Sequence, residues 1–190
     1  MAELLMEEVG RALLLIVKGN VVDAIDDVWS EMETEDTVFY AALGESVPVT
    51  PKQYPSRYYL GHHPSILDRP VIDYPNVTVV SYRSRSIGDL AADQYEVVGH
   101  EAYVEAFVVH EDESTVNRMA LRYAKALNRV VDQHRDLDEV TIEPIFITPD
   151  AAISNAAARR VDQFSESIVY IQGCRLEYVF RTPNRWDPNF

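Results

Sequence analysis

Residues 95–134 contain a strand pattern followed by a helix pattern: they read YEVVGHEAYVEAFVVH (95–110), then Glu111, then DESTVNRMALRYAKALNRVVDQH (112–134). In the first segment, the even positions are mostly apolar and Glu101 and Glu105 alternate with them, as in a strand with one buried face. In the second, apolar residues at helical spacing form a stripe suited to packing on a sheet: Val116, Met119, Ala120, Tyr123, Leu127, Val130 and Val131. The patterns predict an unusually long strand from Tyr95 to His110, with a bend or turn at Gly99 left open, and a helix from about Asp112 to His134.

The flanking segments add one helix and several strands. An N-terminal helix is predicted by a stripe of Leu5, Val9, Ala12, Leu13 and Ile16, and a second stripe of Val21, Ile25, Val28, Trp29 and Met32 restarts or bends it at Gly19. Strands are predicted at 77–83, at 140–147 with an interruption at Pro144, and at 167–181. The order predicts an α+β fold, an antiparallel or mixed β-sheet with an N-terminal helix and a long central helix packed on one face. We expect one domain over residues 1–181 and a C-terminal tail at 182–190.

The region from Thr34 to Asn76 differs in composition, since it holds six of the ten prolines together with five tyrosines. Apart from a short strand at Val38–Leu43, this composition argues against regular structure. Its tyrosines argue against disorder, which is poor in aromatic residues. We therefore predict an extended Pro/Tyr-rich arm that becomes ordered against another surface, with a sibling subunit and the neck both left open, and Tyr54, Tyr58 and Tyr59 are candidate interface residues.

Composition limits the possible functions. The 190-residue chain is 47% hydrophobic and carries a formal charge of -14, which repels phosphate and disfavours specific nucleic-acid binding without excluding a protein that encloses DNA. Cys174 is the single cysteine, so neither an intrachain disulfide nor a Cys-rich zinc site is expected. The acidic N-terminus is unlike a signal peptide, and the apolar run 12–17 is too short for a membrane span. Synthesis in the cytoplasm and no membrane segment are expected.

Catalytic and metal-binding patterns are weak. The sequence has no G-x-S-x-G, P-loop or H-E-x-x-H motif, and Cys174 lies in the apolar register of a strand, which predicts a buried thiol. The adjacent His62 and His63 are poorly placed to share one ion, and Glu111–Glu113 is interpreted as the acidic start of a helix. We therefore predict no catalytic residue, no metal site and no cofactor.

A basic stripe does stand out on this acidic chain. Its four members, spaced i, i+4, i+7 and i+11 on the central helix, are Arg118, Arg122, Lys125 and Arg129. Three interpretations are open: a solvated helix face, a docking surface for an acidic patch on an identical neighbour, or a phosphate contact that the net charge opposes. The second makes all four residues subunit-interface candidates.

The arrangement resembles the tail terminator proteins of tailed phages and, more loosely, the neck proteins that complete the head–tail junction. The resemblance rests on the amphipathic N-terminal helix, the Pro-rich stretch, the strand Tyr95–His110, the acidic turn Glu111–Glu113, the helix through 122–127 and the closing strands. The segment 34–76 is longer than a compact member of that family needs.

The resemblance implies a structural virion protein rather than an enzyme. Such a subunit closes into a homo-oligomeric ring, commonly a hexamer, that caps the head-proximal end of the tail tube, joins it to the neck proteins and lets DNA pass without specific binding. Alternatives are a head-completion or connector ring protein, an acidic monomeric binding module, or a hydrolase that uses carboxylates.

Overall fold

The fold is a six-stranded sheet with two helices on one face. The computed structural model describes residues 2–61, 71–89, 95–135, 137, 152–153, 158–161 and 168–185. Along the chain the elements are α1 (Ala2–Leu43), β1 (Arg57–Leu60), a 3-10 turn (Val71–Asp73), β2 (Asn76–Asp89), β3 (Tyr95–His110), α2 (Glu113–Gln133), β4 (Ala152–Ile153), β5 (Ala158–Val161) and β6 (Ile168–Arg185). The predicted α+β class is confirmed.

The sheet is mixed, with β3 at its centre. Its order is β1-β2-β3-β6-β4, and β5 also pairs with β6. Only the β1–β2 pair is parallel; the others are antiparallel. Gly99 pairs with both neighbouring strands, opposite Arg85 and Arg181, so β3 runs through this glycine without a turn. The predicted strand Tyr95–His110 is therefore confirmed as one element.

The main core lies between the sheet and the helices. The even residues of β3 and β6 and the odd residues of β2 face α1 and α2, and they include Val77, Val79, Ala102, Val104, Ala106, Val108, Cys174, Leu176, Tyr178 and Phe180. The opposite face carries a smaller buried cluster of Tyr74, Phe107, Val109, Val169 and Ile171. There the Phe107 ring lies over Gly173, where an added Cβ would come within 2.5 Å of Phe107 Cε1.

Helix α1 is longer than the sequence pattern predicted. It continues through Gly19, where Asn20 donates a side-chain hydrogen bond to the Ile16 carbonyl, and it ends only at Leu43. Gly44 then adopts φ 72°. Its N–H donates a hydrogen bond to the Ala41 carbonyl, and the N–H of Glu45 donates one to the Tyr40 carbonyl. This pairing is a Schellman cap, which glycine favours because it has no Cβ to strain the left-handed conformation.

The prediction for Val38–Leu43 was wrong, because these residues form the last turns of α1 instead of a strand. No proline precedes Pro48, and two alanines and a leucine support the helix up to its glycine cap. The first ten residues of the predicted arm, 34–43, therefore belong to α1. Its next part contacts its own chain: Trp29 Nε1 donates to the Thr50 carbonyl at 3.2 Å and the Tyr123 hydroxyl donates to the Gln53 carbonyl at 2.7 Å. Residues 57–60 then join the sheet as β1.

Helix α2 follows its prediction closely. Asp112 is the N-cap, accepting from the Thr115 N–H at 2.7 Å, and His134 is the C-cap. Hydrogen bonds from the Ser114 hydroxyl and from Thr115 lower the pKa of Asp112 to about 2.

Three predictions reach beyond the described part of the chain. Residues 62–70 of the predicted arm, which include His62 and His63, lie outside the described residues. The strand at 140–147 lies outside the described residues, as does the end of the predicted tail, residues 186–190. The first residues of that tail belong to the sheet, since β6 continues past Arg181 to Arg185 and stays paired with β3. The domain therefore extends at least four residues further than predicted.

Candidate interaction surface

The basic stripe of α2 faces helix α1 of the same chain. Arg129 Nη2 lies 2.7 Å from Glu31, and Lys125 Nζ lies 3.3 Å from the same carboxylate. Arg122 Nη2 lies 2.7 Å from Asp36 Oδ2. The residue numbers of the α1 partners fall as those of the α2 residues rise, so the two helices are antiparallel. We call these ion pairs the interhelix ladder; it comprises Asp27, Glu31, Glu35 and Asp36 of α1 with Arg122, Lys125 and Arg129 of α2.

Arg122 is the most buried member of the ladder. Its side chain is 3% exposed and that of Asp36 is 20% exposed. The guanidinium also lies over the ring of Trp29, 5.4 Å from its centroid, in cation–π geometry. Trp29 in turn meets Tyr123 edge to face at 5.8 Å. Arg122 therefore joins the ladder to the aromatic part of the core.

The outer pairs are exposed and weaker. The hydrogen bond from Arg129 lowers the pKa of Glu31, and the same bond raises the pKa of Arg129. Arg118, the remaining stripe residue, donates from Nε to Thr50 Oγ1 at 3.1 Å and so fixes the segment that follows α1. All four stripe residues thus bind partners within the chain, and their role between subunits stays a prediction.

The three candidate tyrosines lie in different surroundings. Tyr54 is partly exposed, and its hydroxyl donates a hydrogen bond to Asp26 at 2.6 Å. Lys52 also donates to Asp26, and this second hydrogen bond is the main cause of the lowered pKa of the Asp26 carboxyl. Tyr58 packs against the main core, and burial raises its pKa. Tyr59 lies next to it in the edge strand β1 and is half-buried. Tyr54 thus bonds to α1 at Asp26, whereas Arg122 and Arg129 of the basic stripe bond to α1 at Asp36 and Glu31.

A feature that sequence analysis missed is an exposed apolar surface at the end of α1. We call it the apolar tip; it comprises Val38, Phe39, Leu43, Val47 and Val49, with exposures of 68%, 58%, 55%, 39% and 83%. The Phe39 and Tyr40 rings meet edge to face at 5.3 Å. From Thr37 to Pro51 the one charged residue is Glu45, although a quarter of the whole chain is charged. Large exposed apolar patches of this kind mark interaction sites.

The groups that could act as a base or a thiol nucleophile, His100 and Cys174, are buried. Ser84 Oγ lies 2.7 Å from His100 Nδ1 across the β2–β3 pair, but His100 is completely buried and burial lowers its pKa. Cys174 is also buried, as predicted, and burial raises its pKa to about 12. Within the described ranges, no group of three or more His, Cys, Asp or Glu residues is arranged to hold a metal ion.

No protein-family model matches this chain, and no curated protein sequence matches it. Among the described residues, neither helix has a stretch that is long and apolar enough to cross a bilayer.

Proposed function

We propose that this protein is a structural subunit that assembles with copies of itself into a ring, and that the ring caps the head-proximal end of a phage tail tube as a tail terminator. It acts by binding and not by catalysis. Its partners are sibling subunits, the tail tube protein and the neck or connector proteins, and its place is the virion after synthesis in the host cytoplasm.

The observation that carries self-assembly is the apolar tip on a chain with a formal charge of -14. Strongly acidic copies repel one another at long range, so contact between them requires a surface that is poor in charge and rich in apolar area. The tip fits these requirements, because its five apolar side chains are exposed and the segment Thr37–Pro51 holds one charged residue, Glu45.

The acidic surface also suits a ring that encloses DNA. A negative lumen repels phosphate and lets the duplex slide instead of binding it. The stripe that would have supplied phosphate contacts is occupied by carboxylates of α1, notably at Arg122 and Arg129. A basic lumen in an assembled ring would contradict this part of the proposal.

The test combines mass and capping activity. Light scattering across concentration and salt should give a closed oligomer, or a monomer that forms rings on tail-tube ends and stops tube growth. A chain that stays monomeric and caps nothing refutes the proposal, and addition to isolated connectors instead of tubes assigns it to the head-completion class.

Two exposed residues provide a matched pair of variants. Phe39→Asp places a charge in the apolar tip, whereas Leu121→Asp places one on an exposed leucine of α2 that is 55% exposed. We expect Phe39→Asp to abolish assembly and Leu121→Asp to leave it intact, with equal helix content in both. The reverse result would exclude the tip as the assembly surface.

A further inference from the structure

We infer that the apolar tip of one copy docks on the outward side of α1 in the next copy, around Gly19. This inference rests on the proposed self-assembly and specifies its contact. We call the receiving surface the α1 back face; it comprises Leu15, Lys18, Gly19 and Val22.

The α1 back face is open and carries two exposed apolar side chains beside Lys18. Leu15 is 69% exposed and Val22 is also exposed, one turn to either side of Gly19. A Cβ added to Gly19 would meet no atom within 4 Å, so no packing within the chain requires the glycine. Glycine in a helix interior destabilises the helix relative to alanine, and at this position it leaves a notch between two apolar side chains. A partner's side chain can approach the backbone closely there.

The two surfaces lie on different parts of α1. At 100° per residue, Lys18, Gly19 and Val22 fall within about 60° of Leu15 around the helix axis. The tip residues within the helix, Val38, Phe39 and Leu43, fall at about 140°, 240° and 280°, on the side that faces the core earlier in the helix, and Leu43 lies close to Lys18 around the axis. The two surfaces are also about 30 Å apart along the axis.

The contact joins two different surfaces. A heterologous contact of this kind closes into a ring when its rotation allows. A reciprocal twofold pair, in which each tip meets the partner's back face, would instead give a closed dimer, and the mass from light scattering distinguishes the two.

Charge and area both fit a second copy as the occupant. Lys18 is an exposed cation that makes no ion pair within the part of the chain that the structure describes, and the tip carries the exposed anion Glu45. The five tip residues expose on the order of 500 Å², as much as the largest apolar patch of a typical monomer. An interface of standard size needs about 800 Å² per partner, so the tip can supply its apolar centre.

Cross-linking tests the contact directly. Phe39→Cys and Gly19→Cys are made as separate variants with tags of different size, mixed, and treated with a short bis-maleimide. Cys174 is buried, so the wild-type chain is the background control. In the mixture we expect a cross-linked product that contains one chain with each tag. We expect no cross-linked product from either variant alone.

The outcomes separate this inference from the proposed function. If light scattering shows an oligomer but the mixture gives no mixed-tag product, the contact is refuted and the assembly proposal stands. A product from Phe39→Cys alone shows a twofold tip-to-tip contact and also overturns the inference. A monomer with no product overturns both. Phe39→Cys mixed with Leu121→Cys gives the control for random encounter and should yield none.

A second variant fills the notch without changing charge. Gly19→Leu should keep the fold, because its side chain enters open space, and should weaken association roughly tenfold or more, as expected for blocking the centre of an interface. Association that is unchanged in Gly19→Leu would overturn the placement of the tip on this face.

Discussion

Removing the partner of Arg122 should destabilise the monomer strongly. The change is Asp36→Asn, which keeps the shape of the side chain and removes its charge. Arg122 is 3% exposed and would keep its charge, and its Nη1 atom already has no hydrogen-bond partner in the described part of the chain. The variant therefore leaves a buried guanidinium without a counter-charge.

The size of the effect follows from burial. Breaking a buried ion pair by removing one partner costs about 3–5 kcal/mol. Asp36 retains 20% exposure, so water already screens part of the pair and can partly replace the carboxylate. We expect the free energy of unfolding to fall by about 2–3 kcal/mol, a large part of the stability of an ordinary domain.

Replacing both partners should restore most of this loss. In Arg122→Met with Asp36→Leu no buried charge remains, and buried pairs replaced by apolar residues are often neutral or more stable. The methionine keeps a contact with the Trp29 ring in place of the cation–π geometry. The double variant should lie within about 1 kcal/mol of the wild type.

Urea unfolding followed by helix circular dichroism, at concentrations where the chain is monomeric, gives these free energies. The control is Asp27→Asn, because Asp27 is 68% exposed and lies 3.9 Å from Arg129, so its loss should stay under about 0.5 kcal/mol. An Asp36→Asn cost no larger than that of this control, or a double variant that loses as much as the two single variants together, would show that Arg122 does not depend on Asp36 for its counter-charge.

Three further outcomes are expected. Gly173→Ala should lower the free energy of unfolding, measured in urea, by about 1–3 kcal/mol, because the added Cβ would overlap the Phe107 ring. Combining it with Phe107→Leu should recover part of the lost free energy. Asp112→Ala should lower the Tm at neutral pH. The pKa of Asp112 is lowered in the folded chain, so the ionised carboxylate stabilises the fold above the ordinary pKa of 3.8, and the difference in Tm between variant and wild type should vanish as the pH falls toward about 2. Equal Tm values at neutral pH would contradict the role of Asp112 as N-cap. Cys174, with a pKa of about 12, should resist maleimide in the folded chain at mildly alkaline pH and react in urea, as mass spectrometry can show.

Local chemistry determined the central part of the fold. The alternation over Tyr95–His110 fixes a strand with one buried face, and the acidic turn with Asp112 fixes where α2 begins. These signals involve residues close in sequence, so they can be read without knowing the tertiary structure. The burial of Cys174 followed from the same alternation in β6.

The partners of the basic stripe depended on the tertiary structure. Its partners on α1 are 86 to 102 residues away, and only the antiparallel packing of two helices brings Arg122 to Asp36 and Arg129 to Glu31. Carboxylates at 27, 31 and 35 recur every four residues, which was a signal for a matching acidic face on α1. The sequence gives no means to choose between that face and the same face on a neighbouring copy.

The apolar tip likewise has a part that the sequence determined and a part that the tertiary structure decided. The sequence alone determined that residues 38–43 are apolar and nearly free of charge, and their β-branched and aromatic members suggested a strand. The tertiary structure decided that they continue α1 and that the core ends before them, leaving Phe39 and Val38 exposed. Whether an apolar helix face is buried depends on what lies opposite it in space, and periodicity within the helix carries no information about that.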